Sequence, residues 1–199
     1  GDPSDPYSPY VSQSSSSSNF SSDNISIYAN IDYLLNTSTK ISFGARWEDY
    51  ESKYSDSFDE NFSPSDRMSG GKISLTKNIN EQTNIFFNLA KGFNQGGFNL
   101  NLGLDTNSQN NNLYYDPEFL TNYEIGFNSQ LFNKMMNVSA VIFYSDRDDQ
   151  QVLISTQVDP TDPNTFSFLT QNAAEGINKG IELNLDMELS ESIYFFLRF

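Results

Sequence analysis

The stretch Gly180–Glu188, GIELNLDME, decides the fold. Ile181, Leu183, Leu185 and Met187 alternate with Glu182, Asn184, Asp186 and Glu188. A period of two puts the first set on one face of a β-strand and the second set on the other. An ionised carboxylate is very costly to bury without a partner, so the Glu/Asn/Asp face meets water. Such a strand belongs either to a one-sided antiparallel sheet or to a barrel that turns its apolar face to lipid.

The same alternation recurs along the chain. Ile25, Ile27, Ala29, Ile31, Tyr33 and Leu35 line one side of Asn24–Leu35, with Tyr28 and Leu34 interrupting the polar side. Ile41, Phe43, Ala45 and Trp47 follow, and Trp47 and Tyr50 suit an aromatic girdle near a strand end. Further strands are expected near Gly71–Asn78, Thr83–Phe93, Phe119–Leu131, Met136–Ser145 and Ile193–Phe199. The sixth strand is expected to continue through Gln150–Thr156, and the stretch Thr165–Asn178 to join the seventh with a bulge near Gly176. Several of these runs reach the roughly 9–11 residues that a tilted membrane strand needs.

The joints alternate too. Asn36–Lys40, Asn78–Thr83, Phe132–Met135 and Ser190–Ser192 are short and polar. Lys53–Gly71, Asn94–Glu118 and Asp146–Thr165 are long and rich in Asn, Asp, Ser and Gly. Short turns on one side and long loops on the other mark a transmembrane β-barrel. The expected fold is therefore all-β, an antiparallel up-and-down meander of about eight strands. Residues 1–23, rich in Ser, Pro and Asp, read as a flexible loop or tail, and residues 24–199 as barrel. The chain opens GDPSDPYSPY, without Met or a signal-peptide pattern, and reads as part of a longer or processed chain.

Composition narrows the functions available. Acidic residues number 26 against 11 basic, for a net charge of −15, which disfavours a nucleic-acid partner. The absence of Cys and His removes disulfides, thiolate chemistry and His-based triads. Aromatic residues make up 15% of the chain, although its mean hydropathy is −0.53, a combination that suits strands with one lipid face beneath polar loops. Carboxylate pairs such as Glu48/Asp49 lack any evident pocket to tune them, so no catalytic residues are expected. Asp146, Asp148 and Asp149 offer hard-cation ligands, but Arg147 sits among them and the spacing is not that of a calcium loop. No cofactor or metal is assigned.

Four segments carry a family resemblance: Tyr115–Phe127 (YDPEFLTNYEIGF), Ala90–Asn99 (AKGFNQGGFN), Val141–Val152 (VIFYSDRDDQQV) and Thr170–Leu185 (TQNAAEGINKGIELNL). In this order and spacing they resemble the barrel region of TonB-dependent outer-membrane receptors. The resemblance implies a barrel of about 22 strands, of which this chain holds part, closed around a plug domain. Plug-like and TonB-box-like segments are not found here and are expected upstream. It also implies a Gram-negative outer-membrane location and active import of a scarce bulky nutrient, such as an iron–siderophore complex, driven through TonB. The implied partners are outer-membrane lipid, the TonB system and a small-molecule or siderophore ligand. A passive porin-like channel and a soluble β-rich adhesin are the competing readings. Upstream sequence separates the receptor from the first, and detergent-independent solubility would favour the second.

Candidate ligand contacts are Phe93, Asn94, Gln95, Phe98, Tyr114 and Tyr115, aromatic and amide residues flanking the second long loop; strand-exit geometry and an aromatic girdle are the plainer readings of the same positions. Phe166 and Phe168 carry the same ambiguity. Arg46, Glu48, Glu124, Asn128, Glu182, Asn184 and Asp186 are expected to face the lumen.

Overall fold

The structure, a computed structural model, describes residues 17–57, 60–99, 114–157, 161–162, 164, 166–172 and 175–199. Eight long strands run in chain order through one antiparallel sheet: β1 (Ser18–Asn36), β2 (Thr39–Asp56), β4 (Ser65–Asn78), β5 (Thr83–Asn94), β8 (Glu118–Leu131), β9 (Met136–Asp148), β12 (Glu175–Ser190) and β13 (Ile193–Arg198). A short strand, β3 (Asn61–Phe62), adds to β2. Two small antiparallel pairs stand off the sheet: β6 (Gly97–Phe98) with β7 (Tyr114–Tyr115), and β10 (Gln151–Gln157) with β11 (Phe166–Asn172). There is no helix among the described residues. The expected meander is thus observed, and its edges are not closed into a barrel within this chain.

Turn chemistry explains the tight joints. Ser38 N–H donates to Asn36 Oδ1 at 2.9 Å, and Gln82 N–H to Asn80 Oδ1 at 2.8 Å, both Asx turns. Phe132, Asn133 and Lys134 take φ of 52°, 55° and 72°, so the β8–β9 turn runs through the left-handed region without any glycine.

Unbroken register fixes the two faces. Ile27 pairs with Trp47, Phe43 with Ile73, Leu89 with Tyr123, Ile125 with Ile142 and Leu183 with Ala140. Among the described residues no second layer covers this face: Ile125, Ile142 and Ile181 are 57%, 56% and 61% exposed. Removing each such side chain from water contributes about 1.5–3 kcal/mol, a term the sheet itself leaves unrealised. Most of the buried side chains, including Glu48, Ser52, Tyr54, Met68, Glu118 and Leu169, lie instead toward the long-loop end, whereas Ser129 is buried near the short turns.

The structure corrects several boundaries. β1 starts at Ser18 rather than Asn24, because Ser18–Asp23 pair with Glu51–Asp56. The first long joint is correspondingly shorter, with β2 ending at Asp56 and β4 starting at Ser65. These strand ends are mostly polar, with single apolar residues such as Phe20, Tyr54 and Met68 too sparse to give an amphipathic period. Tyr50 pairs with Asn24 and Asp66 and lies on the face opposite Trp47, so the two do not share a girdle. The sixth strand does not run on: Asp149 takes φ 56°, which breaks the chain between β9 and the separate β10–β11 hairpin. Gly176 is not a bulge. It pairs with Arg147 in regular register, and a Cβ there would lie 2.4 Å from Gln150 Oε1.

Candidate functional site at the long-loop end and polar face

The polar face is a hydrogen-bonded surface built by cross-strand pairing. Ser74 Oγ donates to Asn88 Oδ1 (2.5 Å) and Asn88 Nδ2 to Glu124 Oε2 (3.0 Å). Asn122 Nδ2 donates to Glu124 Oε1 (2.7 Å) and Ser145 Oγ to Asn122 Oδ1 (2.6 Å). This chain of amides and hydroxyls crosses β4, β5, β8 and β9 with Glu124 at its centre, and such chains polarise and strengthen one another. Nearer the long loops, Glu48 is only 4% exposed. It accepts Asn24 Nδ2 at 2.8 Å and Arg46 Nε at 2.9 Å, with Arg46 Nη2 on the same carboxylate oxygen. Arg46 also lies 5.9 Å from the centre of the Phe93 ring.

Register places Arg46, Glu48, Glu124, Asn128, Glu182, Asn184 and Asp186 on this one face. Phe86 and Phe143 share it, lying across from Gly126 and Gly180, where the missing side chains leave room for the rings. A concavity lined by Tyr28, Arg46, Glu48, Phe93, Asn94 and Gln95 joins this face to the base of the second long joint.

Above it stands an aromatic cluster. Phe98 packs against Phe20, Tyr54 and Phe62, with ring centres 6.1, 5.7 and 5.8 Å away. Tyr54 and Phe62 stack at 5.9 Å, and Tyr114 meets Phe62 edge-on at 6.3 Å. Tyr115 lies across Gly97, and its burial, with Tyr50 adding to it, pushes its phenol above the usual range.

An amide clasp fixes the loops to one another. Gln151 and Asn172 are register partners at the base of the β10–β11 hairpin. Gln151 Nε2 donates to Gln95 O (2.8 Å) and Asp116 O (3.1 Å), and its Oε1 accepts Asn94 Nδ2 (2.9 Å). Asn172 Oδ1 accepts Asp116 N–H (2.7 Å), while its Nδ2 donates to Asp116 O (2.9 Å) and Asp149 O (2.8 Å). Asn99 pairs with both backbone groups of Thr170, at 2.7 and 2.8 Å. Beneath, buried Glu118 accepts Arg147 Nη1 at 2.6 Å and Gln151 N–H at 2.9 Å.

The six candidate contacts therefore divide. Phe98 and Tyr114 enter the aromatic cluster, Asn94 and Gln95 the clasp, Phe93 the Arg46 concavity, and Tyr115 lies beside Gly97. Phe166 and Phe168 sit exposed on β11, off the main sheet. Sequence reasoning missed Phe20, Tyr54, Phe62, Asn99, Gln151 and Asn172, because pairs distant along the chain leave no periodic trace. Among the described residues no three His, Cys, Asp or Glu side chains converge as a metal site.

The family model described as TonB dependent receptor-like, beta-barrel, matches residues 1–199. No curated protein matches the chain. Solved structures with similar folds include the ferric yersiniabactin uptake receptor FyuA from Yersinia pestis, at TM-score 0.71 and 18% identity, covering 92% of this chain and 27% of that one. The siderophore receptor PiuA from Acinetobacter baumannii gives TM-score 0.64 and 20% identity, covering 91% and 26%. The hemophore receptor HasR from Serratia marcescens, solved as a double mutant in complex with its hemophore HasA and heme, gives TM-score 0.65 and 15% identity, covering 89% and 33%. The chain thus spans about a quarter to a third of the length of these receptors.

Proposed function

The chain belongs to the TonB-dependent receptor β-barrel family, whose members are Gram-negative outer-membrane proteins, and from that premise we propose that it serves active import of a scarce bulky nutrient, such as an iron–siderophore complex, energised through TonB. The observation that carries this reading is the contrast between the two faces of a single sheet. One is apolar and uncovered, and is assigned to lipid. The other is polar and internally hydrogen-bonded, and is assigned to the lumen, with Arg46, Glu48, Glu124, Asn128, Glu182, Asn184 and Asp186 directed toward a plug. Satisfied polar side chains suit a hydrated lumen, whereas lipid tails offer no hydrogen-bond partners.

The aromatic cluster and the Arg46–Phe93 concavity supply the ligand-facing chemistry: flat apolar rings for stacking and a guanidinium for a carboxylate or other anionic group. Uptake of a labelled ferric siderophore panel by cells carrying the full-length protein, with and without TonB, tests the proposal. Uptake of one complex that vanishes without TonB is expected. Uptake that persists unchanged would instead indicate a passive channel.

A further inference from the structure

We propose that the aromatic cluster at the long-loop end selects the positively charged end of the imported substrate, whose chemical class is a metal chelate carrying a protonated amine. This rests on the import reading and narrows it. The placement of charge around the rings carries it.

All 11 basic residues fall within the described residues, so each can be located. Register puts Lys53, Arg67, Lys77, Lys91 and Lys179 on the same side of the sheet as the apolar stripe. Lys40, Lys72 and Arg198 lie on the inner, polar side, but nearer the short turns than Arg46, and Lys134 lies in a short turn itself. Only Arg46 and Arg147 remain on the inner side toward the long loops. Each is held by a buried carboxylate, Glu48 and Glu118 respectively.

The carboxylates fall the other way. Tyr54 Oη donates to Asp56 Oδ2 at 3.2 Å and the Glu60 N–H to Asp56 Oδ1 at 3.1 Å, so Asp56 and Glu60 edge the Tyr54–Phe62 stack. Asp66 shares the inner side with its register partner Tyr50. Its Oδ2 would lie 2.7 Å from a Cβ at Gly96, two residues before the central ring of Phe98, and Asp116 is close enough to repel it. Among the described residues, Glu60, Asp66 and Asp116 form no ion pair with a basic side chain.

Rings and carboxylates together attract a cation and repel an anion. The face of an aromatic ring draws an ammonium group, and a carboxylate adds a charge-assisted hydrogen bond. Tyr114 is 46% exposed and leaves ring surface open for this contact. An anionic chelate would meet repulsion along the whole approach to Arg46. Arg46 lies deeper, beside Phe93, and serves one acceptor group of the substrate rather than its overall charge.

The test uses the full-length protein in detergent and one ferric linear trihydroxamate in three forms: with a free terminal amine, with that amine acetylated, and with it succinylated. These are cationic, neutral and anionic versions of one chelate, and calorimetry reads their binding. The amine form is expected to bind roughly tenfold more tightly than the acetylated form, with the succinylated form weakest. Asp66→Asn together with Glu60→Gln is expected to lower that ratio about threefold or more. Asp148→Asn, at the same end but on the opposite side of the sheet, is expected to leave it unchanged. Equal or tighter binding of the acetylated or succinylated form, no binding of the amine form, an unchanged ratio in the double variant, or an equal loss in Asp148→Asn would each overturn the proposal. The wild-type ratio decides the matter even where the double variant does not assemble. Failure of the import reading shows separately, as cellular uptake that does not depend on TonB.

Discussion

The ring of Phe86 lies over Gly126, its register partner on the next strand: a Cβ at Gly126 would fall 2.6 Å from Phe86 Cζ and 2.6 Å from the Ala140 carbonyl oxygen. The ring can swing aside, but the carbonyl is part of the β8–β9 ladder and cannot. Gly126→Ala is therefore expected to destabilise the folded barrel by about 1–3 kcal/mol, the usual cost of overpacking. Urea unfolding of the full-length protein in vesicles measures it, and an unchanged midpoint would remove the close-packing argument.

The amide clasp makes a second prediction. Asn172 holds the peptide of Asp116 from both sides and ties it to Asp149. Asn172→Ala removes three hydrogen bonds, each worth about 0.5–1.5 kcal/mol net. Faster hydrogen exchange is expected in peptides around Asp116 and Gln95, with membrane assembly intact. Exchange rates matching the wild type would mean that the hairpin does not restrain the second long joint.

These two features also mark where the sequence was readable. Ile181, Leu183, Leu185 and Met187 revealed β12 because a strand with one apolar and one polar face writes a period of two into the chain. The short joints were readable because Asn36 and Asn80 carry turn chemistry locally. Ser18–Asp23 were not, since a strand polar but for the single Phe20 resembles a loop in composition. The clasp was not either: Gln151 and Asn172 act through partners far away in sequence, and neither stands out among many similar amides. The break at Asp149 depends on one backbone angle that an aspartate permits but does not announce.

The aromatic cluster gives a prediction about binding. Phe98 touches three other rings, and aromatic pairs contribute about 0.5–1.5 kcal/mol each beyond their area. If the cluster faces ligand, Phe98→Ala is expected to raise the half-saturating ligand concentration by roughly three- to tenfold, with the amount of assembled protein unchanged. Saturation of uptake in whole cells measures this. A variant that assembles normally and saturates at the wild-type concentration would leave the cluster a purely structural feature.

Leu183 and Asn184 are sequence neighbours on opposite faces of β12, with Leu183 beside Ala140 and Asn184 beside Ser139 on β9. An arginine at a lipid-facing site costs about 2–4 kcal/mol at the bilayer midplane, because its charge must shed water or drag water inward. At a lumen site the same arginine stays hydrated and meets polar neighbours; Asp186, on that face, already takes Arg198 as a partner. Leu183→Arg is therefore expected to block assembly of the full-length protein far more than Asn184→Arg. Heat-modifiable migration separates folded from unfolded barrel and scores both variants side by side. Each carries the same added charge one residue apart, so the change in net charge cancels in the comparison. Equal assembly would reverse or erase the assignment of lipid and lumen faces, and with it the membrane reading of the apolar stripe.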